Sequence, residues 1–98
     1  MEKQKIGKFF FDNFKKHIHL KGYNYLMYAV EKYDFDNMNI GEFCEEAAEH
    51  FSTSSVAYQE ALRRVMRKVS SYDNPVTLIR CIQEEIKFGI ERSEYYAK

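Results

Sequence analysis

The stretch 51–69, FSTSSVAYQEALRRVMRKV, decides how this chain folds. It opens on Ser52-Thr53-Ser54-Ser55, a run of hydroxyls that can accept from the orphan amides of a first helical turn, so a helix begins there. Tyr58, Ala61, Leu62, Val65 and Val69 then recur at helical spacing and form one buried stripe reaching to about Ser70. Upstream, Asn39 stands three residues before Glu42, the pattern of a capping box, and starts a helix running to about His50. That helix buries Phe43, Cys44, Ala47 and Ala48 behind an acidic face. The two helices are joined by three or four residues, too few for anything except a sharp corner.

Such a corner is the layout of a helix-turn-helix over about 40–70. The motif needs a small residue where the helices cross, apolar residues beside it, and a polar outer face on the second helix. Ala48 supplies the small residue and Phe51 anchors the turn, while Tyr58 and Ala61 hold the second helix against the first. The outward stripe is then Ser55, Gln59, Arg63 and Arg67, with Ser54, Val56, Glu60 and Arg64 beside it. Serine, glutamine and arginine can bond phosphates and base edges, and arginine suits guanine. The competing account of Arg63, Arg64, Arg67 and Lys68 is a solvated face whose cations favour the helix C-terminus.

The rest of the chain also reads as helical. Residues 3–16 place Ile6, Phe10 and Phe14 on one stripe, and a break falls around His17–Gly22. Residues 23–33 bury Tyr25, Leu26, Ala29, Val30 and Tyr33 before an acidic loop at Asp34–Asn39. After a turn at Tyr72–Pro75, Pro75 suits the first position of a last helix. That helix carries Leu78, Ile79, Ile82, Glu85 and Ile86 toward Tyr96, with Gly89 as a stop or weak point. One proline and four glycines leave little for a turn-rich β architecture. The expectation is an all-α, compact bundle of four to five helices forming one domain over 1–98.

Composition narrows the function. A hydrophobic fraction of 45% and a charged fraction of 31% are those of a folded globule. No apolar run spans a bilayer, and the N-terminus lacks a signal-peptide cleavage pattern. Cys44 and Cys81 are isolated, which fits core residues in a reduced, cytoplasmic setting. The zero net charge conceals segregation. Residues 1–21 carry six lysines against Glu2 and Asp12, for a net +4. Residues 31–50 carry Glu31, Asp34, Asp36, Glu42, Glu45, Glu46 and Glu49 against Lys32, for −6, and residues 54–69 return to +3. Whether the basic segments share a face is not readable from spacing.

No catalytic or metal set is expected. His17, His19 and His50 have no Cys/His/Asp neighbours at ligand spacing. Glu45-Glu46 and Glu84-Glu85 point in different directions on a helix and read as solvated faces. There is no nucleophile elbow and no glycine-rich phosphate loop, so neither an enzyme nor a cofactor or small-molecule ligand is implied. Phe9-Phe10-Phe11 cannot all be buried on one helix face; one ring is exposed or meets a partner, with Tyr95 and Tyr96 able to join it.

Two segments also carry a family likeness. HLKGYNYL (19–26) and AAEHFSTSSVAYQEALRRV (47–65) resemble the C-terminal DNA-binding effector domain of stage-zero sporulation protein A, the response regulator of endospore formation. The match runs through His19, Lys21, Gly22, Tyr23, Tyr25 and Leu26, then Ala48, Phe51, Thr53, Ser54, Ala61 and Arg63, within residues 17–70. Residues 75–88 look like the family's last helix after a shortened connection. The resemblance implies an all-helical fold whose helix-turn-helix docks in the major groove, in tandem copies on a promoter. It also brings departures. The family's phosphorylatable receiver domain has no room in 98 residues, Ala57 stands where the family has arginine, and Gln59-Glu60 replaces Glu-Arg. The family's target sequence is therefore not implied.

The expected function is that of a stand-alone double-stranded DNA-binding homodimer, a transcriptional regulator or a plasmid or phage accessory factor. Ser54, Ser55, Gln59, Arg63, Arg64, Arg67 and Lys68 would line the groove, and N-terminal lysines including Lys21 would meet phosphates. The alternative is a protein-interaction module, an antagonist or adaptor of a related regulator, that kept the fold without DNA binding. Neutral overall charge and Ala57 favour it.

Overall fold

Local signals in the chain become five helices in the computed structural model, which describes residues 2–89. They are α1 (Lys3–Phe14), α2 (Lys21–Lys32), α3 (Ile40–His50), α4 (Ser55–Val69) and α5 (Pro75–Phe88), and no strand occurs among the described residues. The all-α bundle expected from the periodicity is the fold. Three starts are fixed by side-chain caps: Asn39 Oδ1 accepts from the Glu42 amide, Ser54 Oγ from Ala57, and Asn74 Oδ1 from Val76. Pro75 occupies the first turn of α5, and Gly89 ends that helix in the left-handed region at φ 71°. The extension toward Tyr96, and the part given to Tyr95 and Tyr96 beside the phenylalanines, lie outside the described residues.

Boundaries moved at two places. α1 ends at Phe14 and tightens into a 3-10 turn over Lys15–His17, short of the expected 16. α2 starts at Lys21, inside the expected break, with no side chain capping its first turn. The reason is Gly22, whose missing side chain lets α2 lie directly on α4. A Cβ there would stand 2.5 Å from the Ala61 carbonyl oxygen and 2.7 Å from Val65 Cβ.

One apolar cluster unites the helices. α2 and α4 make its most extensive pairing, α3 packs on α4, and α1 and α5 close the remaining sides of α2. Phe10, Phe14, Phe43, Tyr58, Leu62, Leu78 and Ile79 are fully buried. Of the three consecutive phenylalanines, Phe10 is buried and Phe9 half-buried. Phe9 sits edge-on to Phe10 and Phe14, with ring centroids 5.9 and 5.7 Å away. Phe11 is the exposed one, with the Lys15 ammonium 5.5 Å from its ring centre. Gln83 Nε2 donates to the carbonyls of Val30 (3.0 Å) and Tyr33 (2.9 Å), satisfying the open end of α2 from α5.

The buried aromatic at the centre has a polar handle. Tyr58 of α4 stacks on Tyr25 of α2 at 4.8 Å between centroids and donates its hydroxyl to the Tyr25 carbonyl at 2.8 Å. Burial pushes its phenol far above the ordinary value, so it is a neutral donor at any working pH. Tyr58→Phe keeps the ring and removes one buried hydrogen bond. Urea unfolding should show a loss of about 1 kcal/mol without a change in m-value.

Candidate nucleic-acid interface

The corner is built as spacing demands. Ala47 and Ala48 are buried where α3 meets α4, and the turn returns its amides to the end of α3. Phe51 N–H donates to Ala47 at 3.0 Å, Ser52 to Glu49 at 3.2 Å and Thr53 to Ala48 at 2.9 Å. Ser52 adopts φ 54°, the left-handed position that closes so short a link. Phe51 wedges behind the turn, 4.6 Å from the Tyr25 ring and 5.2 Å from Tyr28. The helix-turn-helix shape thus follows from the hydroxyl run, two alanines and one aromatic anchor.

Three side chains differ from the sequence expectation. Ala61 turns its backbone carbonyl toward Gly22 and lines a hollow with it, so this residue also marks where α4 meets α2. Ser55 and Gln59 are half-buried on one flank of α4, not on its outward line. The outer face instead carries Val56, Ala57, Glu60, Arg63, Arg64, Arg67 and Lys68, all exposed. Helical spacing explains the shift. The buried stripe includes Met66, 2% exposed, which rotates the centre of the outer face toward Glu60 and Arg67. Ser54 Oγ is occupied at 3.1 Å as the N-cap acceptor for Ala57.

The expected DNA-contacting residues divide between two flanks of α4. Gln59, Arg63 and Arg67 border a groove of about 490 Å³ floored by Cys44, Leu62 and Met66 and closed by the turn at Asp73–Val76. On the opposite flank, Arg64 and Lys68 line a shallower hollow of about 240 Å³ with His19, Leu20, Lys21 and Gly22. Lys21 therefore reaches the basic half of α4 from the start of α2, far away in sequence. The two basic segments do share a face, through the part of the first that ends at α2. Lys3, Lys5 and Lys8 border hollows elsewhere, on α1, and Lys8 pairs with Asp12 at 2.8 Å.

Charge on the remaining surface limits how a polyanion could approach. Glu42, Glu45, Glu46 and Glu49 are all exposed on α3, so that helix repels phosphates while the α2–α4 side attracts them. Glu60 meets Arg64 at 3.8 Å, both well exposed, a pair too solvated to compete with a phosphate.

Sequence reading missed His17. Its Nε2 is buried without a hydrogen-bond partner among the described residues. Burial first, then the charges of Lys16, Lys68 and His19, hold its imidazole below the ordinary value. The folded state therefore binds a proton less readily than the unfolded chain. Stability is fully present above the ordinary histidine value near 6.5 and falls as pH drops below it. Thermal melts should show a decline in Tm from pH 7 to pH 5 that His17→Gln makes shallower. An identical decline in the variant would place its origin in other groups.

Neither cysteine forms a disulfide. Cys44 is buried and Cys81 is half-buried, its thiol donating to the Tyr72 hydroxyl at 3.3 Å. Among the described residues no group of three or more His, Cys, Asp or Glu side chains is placed to hold a metal ion, and no helix is long and apolar enough to cross a membrane. No protein-family model, curated protein or solved structure matches the chain.

Proposed function

We propose that this chain is a double-stranded DNA-binding protein that presents α4 to the major groove and works as a homodimer in transcriptional regulation or as a plasmid or phage accessory factor. The observation that carries the reading is the convergence of Lys21 with Arg64 and Lys68 on one flank of an exposed helix that follows a tight corner. Cations gathered from two distant segments beside such a helix supply the kind of positive charge that backbone phosphates bind. The resemblance proposed for residues 17–70 to the sporulation-regulator effector domain points the same way.

A second reading has its own observation. The exposed glutamates of α3 and the exposed Phe11 ring are surfaces a protein partner would use, as in an antagonist or adaptor of a related regulator. Fluorescence anisotropy with random-sequence duplex DNA separates the two. DNA binding predicts measurable affinity at about 50 mM salt that falls linearly on a log–log plot as salt rises. Absent or salt-independent binding favours the interaction module.

A further inference from the structure

The arginines of α4 all stand in its second half, whereas base edges are met mainly by the first residues of a recognition helix. In that first part Ser54 Oγ caps the helix at 3.1 Å, Ser55 and Gln59 are half-buried on the groove flank, and Glu60 is exposed in the second turn. What the first turn exposes is apolar: Ala57, and Val56 at 64%, the most exposed large hydrophobic side chain of the described residues. Among base edges in the major groove, one group alone is apolar, the C5-methyl of thymine.

We infer that Val56, with Ala57 beside it, reads a thymine methyl, and that Arg64 and Lys68 with Lys21 hold the phosphates that set this contact. The inference rests on the DNA-binding reading and replaces the arginine–guanine recognition that the sequence favours. Its chemistry is simple. The methyl leaves water on contact with the isopropyl group, and no hydrogen bond is made or lost. Substitution at Val56 leaves the fold intact, because the side chain touches nothing in the core and alanine is the better helix former.

The test begins with duplexes retained from a random-sequence pool. In the enriched site each thymine is replaced singly by deoxyuridine, which removes only the methyl. One thymine per half-site should cost the wild-type protein roughly fourfold in affinity, the factor expected for burying one methyl-sized group. Val56→Ala should lose most of that difference, while Arg64→Ala weakens binding to both duplexes alike. A fourfold loss that persists in Val56→Ala, or an enriched site without a sensitive thymine, overturns the inference. Salt-dependent binding with no enriched sequence overturns it too while leaving the DNA-binding reading in place. Absence of any binding overturns both.

Discussion

Gly22→Ala should cost this protein about 2–3 kcal/mol and lower its Tm by roughly 10–20 °C. The added methyl would lie 2.5 Å from the Ala61 carbonyl oxygen, 2.7 Å from Val65 Cβ and 2.9 Å from Val65 Cγ1. The first of these is backbone, so no rotamer change relieves it. α2 and α4 must separate, and they are the pair with the most extensive packing in the bundle. The intrinsic preference works the other way, since alanine exceeds glycine in a helix interior by about 1 kcal/mol. Gly7 isolates that term, because a Cβ there meets nothing within 4 Å. Gly7→Ala in α1 should therefore stabilise by about 0.5–1 kcal/mol. Opposite signs at the two positions, read by urea unfolding, identify Gly22 as the crossing point. A gain at Gly22 would refute the close crossing of α2 on α4.

The same glycine shows where sequence reading stops. Every helix is legible from its apolar period, and the starts of α3 and α4 also from Asn39 and the hydroxyl run holding Ser54, whereas the Asn74 cap ahead of Pro75 appears only in the structure. In the sequence Gly22 stands only at the end of an expected break and within the HLKGYNYL segment. Its reason is Ala61, on a helix that local pattern does not place in space, so spacing alone begins α2 at 23, two residues late. The corner was legible because its parts are contiguous. The division of the candidate site into flanks was not, because a stripe at i, i+4 drifts around a helix and the buried Met66 turns the exposed face away from Ser55 and Gln59. Lys21 was counted with the N-terminal lysines, yet its place is with Arg64 and Lys68. Lys8, of the same charge and segment, stands instead on α1 beside Asp12. His17 gave no sequence signal, since its burial and its nearness to Lys68 arise from the 3-10 turn laid against α4.

Removing Lys21, Arg64 and Lys68 together should have the largest effect on the proposed activity. If each contacts one phosphate, the triple alanine variant loses three released counterions, and the log–log salt slope becomes shallower by about 2.7. A slope change of that size corresponds to a factor of about 40 over a fourfold range of salt. All three side chains are exposed, so the fold should survive, and far-UV circular dichroism with the urea midpoint checks that it does. The acidic helix supplies the opposing measurement. Glu45, Glu46 and Glu49 are exposed on α3, and exchanging them for glutamine removes repulsion without adding a contact. That variant should bind more tightly at low salt and lose the advantage as screening increases. Arg63 and Arg67, on the other flank, distinguish docking through all of α4 from docking through the α2–α4 side alone. If their joint replacement changes the slope as much as the Lys21, Arg64 and Lys68 set does, DNA straddles α4. If only the Lys21 set matters, the duplex lies toward α2, away from the glutamates of α3. A triple variant with an unchanged slope would remove the α2–α4 hollow from the interface altogether, and with it the observation on which the DNA-binding assignment stands.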